Sequence, residues 1–296
     1  MDAFQIVGLL MAITAFLLFL TLIITSTRRK NTPSFLPLFA SIAFVLLGVF
    51  LMAMPAIASS NLELLVTWTN TPAHYIVYIN GKGLIRATSN SGNLFLDQNA
   101  IPFKNFNSFL GIIGLAATFN TLYIAEYQAL NGAVHKYDLL SATIKQTIDL
   151  THNPDDLAVG FLNSTTDAVF INIQGNITFN GRQILSHILS DAHAITVHDN
   201  YLYISDQTRV VVYNYERDTV VRIIGPLPMA RRMALFTNNK QQTYLVMVPL
   251  NPGSSVQLFD LDGGLFTSIK GLTNQVATSS GQLFLSDGFS TIRIFE

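Results

Sequence analysis

The chain has 296 residues, a net charge of −1 and no cysteine. Near-neutral charge leaves no basic footprint for nucleic acid. Missing thiols exclude a cysteine nucleophile, thiolate zinc sites and thiolate-held iron–sulfur clusters. Charged residues make up only 12% of the chain, against roughly 25% in soluble domains, so Asn, Gln, Ser and Thr carry the surface. Such a surface hydrates without carboxylate ionisation, which suits an acidic exterior.

Two apolar runs open the chain, at residues 4–24 and 35–57, and neither holds a charge. Each has roughly 20–25 residues, enough for an α-helix to cross the hydrocarbon of a bilayer. Between them lies Thr27-Arg28-Arg29-Lys30-Asn31-Thr32-Pro33, too short to be a domain. The pattern predicts a transmembrane hairpin over residues 1–58, with helices at 3–26 and 34–57 and a basic loop at 27–33. Arg28, Arg29 and Lys30 set its orientation, because Lys and Arg in short loops stay on the cytoplasmic side. The N-terminus and everything after Ser59 are then expected outside. Ala56-Ile57-Ala58 has the small residues of a signal cleavage site. Two spans precede it, however, and both exceed a signal core, so retention of the hairpin is expected.

From residue 61 the pattern changes to short β-branched and alternating runs broken by Gly, Asn, Asp and Pro. The first strand candidates lie at 62–68 and 74–79. Six segments then share an apolar and aromatic form: Leu94-Phe95-Leu96-Asp97, Leu122-Tyr123-Ile124-Ala125, Val169-Phe170-Ile171-Asn172, Leu202-Tyr203-Ile204-Ser205, Tyr244-Leu245-Val246-Met247 and Leu283-Phe284-Leu285-Ser286. Their spacing averages roughly 38 residues, the size of a four-stranded propeller blade. Further strands follow most of them, at 133–137, 143–150, 176–180, 210–215, 220–224, 256–260, 265–269 and 291–295, and 193–198 reads as an inner strand.

Leu202-Tyr203-Ile204-Ser205-Asp206 through Val210-Val211-Val212-Tyr213 resembles an NHL-type propeller repeat, as does Leu283-Phe284-Leu285-Ser286-Asp287 through Ile292-Arg293-Ile294-Phe295. Residues 122–150 are closer to the repeats of lactonase-like and surface-layer propellers. The last repeat stops at Glu296, one strand short. Propellers of this kind close by borrowing a strand from the other terminus, and either 62–68 or 74–79 is available to supply it. The expected fold is an all-β propeller at 59–296 behind two transmembrane α-helices, with six blades favoured over seven.

Glu126, Asp206 and Asp287 follow their segments directly and Asp97 closes its own, similar positions that are expected just after each second strand. The resemblance to lactonases implies a central cation for such a ring. The residues themselves favour turn caps, in which an Asp accepts from nearby backbone N–H groups. His193 and His198 are an odd number apart on one strand, which puts them on opposite faces. His74, His135, His152 and His187 are scattered. Asp155-Asp156 after Asn153-Pro154 reads as a turn entering a blade, with a ligand role as the alternative, and Arg231-Arg232 as a solvated pair beside Pro226 and Pro228, with an anionic contact as the alternative. No catalytic, cofactor-binding or metal-ligating set is expected. Asn163-Ser164-Thr165 and Asn176-Ile177-Thr178 are glycosylation acceptor patterns, predicted to lie in one blade at opposite ends.

The functional expectation is a membrane-anchored extracytoplasmic propeller acting as a non-enzymatic structural, display or recognition module, with a virion envelope as one concrete setting. The alternatives are a cell-surface or membrane-complex accessory subunit and a metal-dependent lactonase-like hydrolase. Expected partners are the lipid bilayer, other proteins or glycans at a propeller face, and further copies of the chain.

Overall fold

The computed structural model describes residues 62–88, 93–97, 99–100, 111–129, 131–163, 165–251 and 254–296. The predicted hairpin, with Arg28, Arg29 and Lys30, lies outside the described residues. Among the described residues no helix is long and apolar enough to cross a membrane.

The described residues form 24 strands in six four-stranded antiparallel sheets. β1 (Leu64–Trp68) comes first in the chain. Blade 1 follows as β2 (Tyr75–Ile79), β3 (Gly83–Ala87), β4 (Leu94–Leu96) and β5 (Asn99–Ala100). Blade 2 is β6 (Ile112–Ala117), β7 (Thr121–Tyr127), β8 (Gly132–Asp138) and β9 (Thr143–Leu150). Blade 3 is β10 (Asp156–Leu162), β11 (Thr166–Ile173), β12 (Asn176–Phe179) and β13 (Arg182–Ile184). Blade 4 is β14 (Ala192–His198), β15 (Tyr201–Asp206), β16 (Arg209–Asn214) and β17 (Thr219–Ile224). Blade 5 is β18 (Ala230–Thr237), β19 (Thr243–Pro249), β20 (Val256–Asp260) and β21 (Leu265–Ile269). Blade 6 has β22 (Gln275–Ser279), β23 (Gln282–Ser286) and β24 (Ile292–Phe295), and β1 pairs with β24 as its outermost strand.

The six first strands neighbour one another in a closed circle, with β22 beside β2. The protein is a six-bladed β-propeller. Of the two candidate closing segments, the earlier one holds β1; the later one has a different place, as the inner strand of blade 1.

Five of the six recurrent segments are second strands, in β7, β11, β15, β19 and β23. Leu94–Leu96 is a third strand instead, which corrects the repeat count's reading of blade 1. The second strand there is β3, whose sequence Gly-Leu-Ile-Arg-Ala lacks an aromatic residue. The second strands read as continuous apolar runs for a physical reason. A blade's two faces both pack on neighbouring blades, so neither alternate set of side chains meets water.

Six hydrophobic clusters fill the gaps between consecutive blades. Phe170 and Leu202 lie in the cluster between blades 3 and 4, and Phe284 and Ala73 in the one between blades 6 and 1. A fully buried ring such as Phe170 contributes about 2–3 kcal/mol relative to exposure. The hairpins use local chemistry: Asn180 and Gly181 both sit at positive φ, 49° and 76°, where a mirror-type turn matches the strand twist.

The inner strands all begin at one face, called here the leading face, which also carries the hairpins from second to third strands. The trailing face carries the hairpins from first to second strands, as the pairing of Asp156 with Asn172 and of Leu162 with Thr166 illustrates.

Candidate functional site at the axial channel

All six inner strands line an axial cavity of 190 Å³. Leu115, Val159, Val197, Met233 and Val276 are among its lining residues. Its charged groups are Asp156 and Arg232. Asp156 opens β10, and Arg232 is the third residue of β18.

A β-bulge between Ala230 and Arg232 shifts the register of β18 there. Bulges re-aim side chains, and this one accompanies an Arg232 that is directed inward. Its side chain is 15% exposed, with Nη1 3.6 Å from Asp156 Oδ1. Nη1 also donates to Asp155 O at 3.2 Å and Arg231 O at 3.0 Å, and Nη2 to Ile113 O at 3.4 Å. The guanidinium lies 5.9 Å from the centre of the Tyr75 ring. One side chain of blade 5 thus reaches groups from blades 1, 2 and 3. The solvated-pair expectation is corrected: Arg231 is exposed and donates to Asn274 Oδ1 at 3.3 Å, whereas Arg232 crosses the axis.

Asp156 Oδ2 accepts from the Ile195 N–H at 2.9 Å, which joins the inner strands of blades 3 and 4. Burial pushes its carboxyl above the usual aspartate range, opposed by Arg232 and by the N–H groups of Ile195 and Leu157. Asp155 is exposed and caps the Gln174 N–H at 2.6 Å.

The four repeat carboxylates do not assemble into one ring. Asp206 Oδ1 accepts from Ser190 N at 2.9 Å and Asp191 N at 2.7 Å. Its Oδ2 takes Arg209 Nε at 2.9 Å and Nη2 at 2.7 Å. Burial pulls this carboxyl up, but the N–H groups of Asp191 and Ser190, together with Arg209, outweigh it and hold the pKa below the ordinary value. Asp287 Oδ1 accepts from Phe289, Ser290 and Thr291 N–H at 2.8, 2.9 and 3.0 Å. Its pKa is likewise lowered, burial being overcome by those three donors. Glu126 Oε2 lies 2.8 Å from His135 Nε2, and His135 Nδ1 lies 3.0 Å from Thr147 Oγ1. Asp97 follows a third strand rather than a second, on the trailing side, and accepts from Leu84 N at 3.0 Å. Among the described residues, no group of three His, Cys, Asp or Glu side chains is placed to hold a metal ion.

His193 and His198 sit at opposite ends of β14, each near its own aspartate: Asp191 at 3.2 Å and Asp199 at 3.8 Å. A bulge between Ala192 and Ile195 breaks the simple alternation. Asn163 and Asn176 are both exposed, in the first and second hairpins of blade 3. They open on opposite faces. Asn176 Nδ2 donates to Gln174 O at 3.1 Å, and its Oδ1 accepts from Gln183 Nε2 at 2.7 Å.

Sequence reasoning missed the inward placement of Arg232 and a set of blade-to-blade clips. Asn172 Nδ2 donates to Ala192 O at 2.9 Å and His193 O at 3.0 Å. Ser205 Oγ accepts from Ala230 N at 3.2 Å, and Ser286 Oγ donates to Ala73 O at 2.6 Å. Each clip is the fourth residue of its recurrent segment, so the polar residue after three apolar ones was the available signal.

No protein-family model matches the sequence, and no curated protein does. Among solved structures, the Myceliophteria thermophila Cps50 (Swd1) beta-propeller domain is similar at 10% identity and a TM-score of 0.53, covering 77% of this chain and 99% of that one. Myxococcus xanthus glutaminyl cyclase aligns at 11% identity and a TM-score of 0.45, over 79% of this chain and 95% of that one. At 10% identity the likeness to the Cps50 domain is one of fold, and it agrees with the propeller described above.

Proposed function

We propose that this chain is a membrane-anchored, extracytoplasmic β-propeller that serves as a non-enzymatic display or recognition module. The observation that carries the reading is how the axial and leading-face carboxylates are used. Asp156 is held by Arg232 and a backbone N–H, Asp206 by two N–H groups and Arg209, and Asp287 by three N–H groups. Asp206 and Asp287 are committed to turns and an arginine, and Asp156, which does line the axial cavity, has one oxygen on a backbone N–H and the other beside Arg232, whereas a hydrolytic base needs an oxygen free to take a proton from substrate or water. A pinned axis leaves rigid rims whose loops suit recognition of a protein or a glycan. Fold alone does not choose between these.

The anchor rests on the apolar runs at 4–24 and 35–57 and on Arg28, Arg29 and Lys30 between them. The likeness of residues 202–213 and 283–295 to NHL-type repeats favours a binding role. A virion envelope is the concrete setting that cysteine absence, low charge and a minimal inner loop favour; a membrane-complex accessory subunit shares every feature named. The test uses the full chain in sealed membranes. External protease should digest residues beyond Ser59 and spare the loop at Arg28–Lys30. The reverse pattern overturns the topology. Stoichiometric divalent metal together with lactone turnover, both lost in Asp206→Ala, overturns the non-enzymatic reading.

A further inference from the structure

Blade 2 carries a line of polar side chains that runs across three strands to its surface. His135 on β8 lies opposite Ile124 on β7 and opposite Thr147 on β9. Glu126 is two residues along β7 from Ile124, so it shares the face that His135 uses. The register of β8 against β9 shifts between Lys136 and Tyr137, directly beside His135. Thr147 Oγ1 is 3.0 Å from His135 Nδ1, and Glu126 Oε2 is 2.8 Å from His135 Nε2. Gln128 Nε2 donates to the same Glu126 oxygen at 3.3 Å. The His135 and Glu126 side chains are each 10% exposed. Ile124 and Tyr137, the neighbours of His135 on this face, are fully buried. Thr147 is exposed, on the outermost strand of the blade. The line therefore leads from a shielded carboxylate through an imidazole to an open hydroxyl.

We propose that Thr147 is a covalent acceptor site for acyl groups, with His135 as its general base and Glu126 as the residue that positions His135. The donor class is an activated ester or thioester. In a neutral ring one nitrogen donates and the other accepts. A carboxylate accepts only, so Glu126 holds the ring hydrogen on Nε2 and leaves Nδ1 to accept from the Thr147 hydroxyl. A hydroxyl on one ring nitrogen and a shielded carboxylate on the other is the arrangement that activates an oxygen nucleophile. In the step, Thr147 Oγ1 bonds to the acyl carbon as its proton passes to His135 Nδ1. The bond from that carbon to the leaving oxygen or sulfur breaks, and the leaving group takes the proton from Nδ1. The products are an ester on Thr147 and a free alcohol or thiol, and His135 returns to its neutral form. Glu126 stabilises the ring while it carries both protons. An ester formed once per chain is a modification, so this site adds to the display role above and does not depend on it.

The probe is p-nitrophenyl acetate, applied to the full chain and read by peptide mass spectrometry. Ser141, exposed in the turn between β8 and β9, is the reference hydroxyl. General-base assistance contributes about 10²–10⁴-fold, so Thr147 should be acetylated about a hundredfold faster than Ser141. Neutral hydroxylamine should remove the label, as it does an ester. Thr147→Ser should keep the label and Thr147→Val should lose it. His135→Gln should bring the rate down to that of Ser141. Glu126→Gln should move the pH profile of labelling, whereas a merely structural glutamate would lower the rate equally at every pH. A Thr147 rate no greater than that of Ser141 in the parent overturns the inference, and this comparison needs no variant to fold. Acetyl groups confined to lysines, or a rate unchanged in a folded His135→Gln, overturn it as well. Steady release of p-nitrophenolate beyond one equivalent per chain, lost in Thr147→Val, keeps the acceptor and overturns the non-enzymatic reading instead.

Discussion

Ser286 Oγ donates to Ala73 O at 2.6 Å, across 213 positions of sequence, and both groups are buried. This bond ties the end of the last blade's second strand to the segment entering the first blade. β1 does the same at the circumference, where Leu64 pairs with Phe295 and Trp68 with Ile292. The ring is thus fastened twice, near the axis and at the rim.

Ser286→Ala should lower stability by about 1–3 kcal/mol, because the Ala73 carbonyl loses a buried partner that water cannot replace. Deleting residues 62–70 should cost far more, since blade 6 loses a strand and the apolar side chains over it. Urea unfolding of the two variants checks both. An unchanged midpoint for the deletion would mean that β1 is an appendage rather than a fastening.

Much of this architecture was legible because each second strand packs on both neighbours. Val169-Phe170-Ile171 and Leu283-Phe284-Leu285 are apolar on both faces, and a run that repeats at blade spacing reveals the fold. Blade 1 was misread where that pattern lapses. Its second strand carries Arg86, whose charge is accommodated by Pro72 O and Asp97 O. Leu94–Leu96 then offered a better match in the wrong strand. The axial site was not legible at all. Arg232 turns inward at a bulge, and bulges at Ile112/Gly114, Ala192/Ile195 and Ala230/Arg232 have no period that a sequence pattern reveals.

Arg232→Met should destabilise the protein by about 3 kcal/mol at about pH 7, because it strands the Asp156 carboxylate. Asp156 has a folded pKa above its unfolded one. Its favourable contribution is therefore fully present below the ordinary aspartate value and is lost as pH rises through the folded value. Removing Arg232 raises the folded value further, so the loss should shrink at about pH 4, where the acid is neutral. Adding Asp156→Leu to Arg232→Met should recover much of the stability, which a double-mutant cycle measures. A loss independent of pH would show that Arg232 acts through packing alone.

Asp206 and Asp287 should behave in the opposite sense. Their folded pKa values are depressed, so the stability they contribute is present above about pH 4 and disappears as pH falls through the folded values. Asp206→Asn and Asp287→Asn should lower the melting temperature at neutral pH, and the gap from the parent should close in acid. Metal content, measured alongside, should not change. A stability gap that persists in acid would contradict the capping role of either carboxylate.

The two acceptor asparagines should differ in use. Asn176 has both its amide nitrogen and oxygen engaged, with Gln174 and Gln183, and sits at the start of a paired strand. Asn163 sits in a hairpin turn at a φ of 50°. Its neighbour Thr165 is turned back on the Asn163 carbonyl at 3.4 Å. A transferase must draw the asparagine amide out of the surface, and Asn163 offers it at lower cost. Expressed through a secretory route, the chain should carry a glycan at Asn163 more fully than at Asn176, read as one dominant mobility step lost in Asn163→Gln. Modification at neither position, in a chain shown by protease to have its propeller outside, would remove the glycan from this account. A glycan confined to Asn176 would show that the hydrogen bonds of its amide do not govern access.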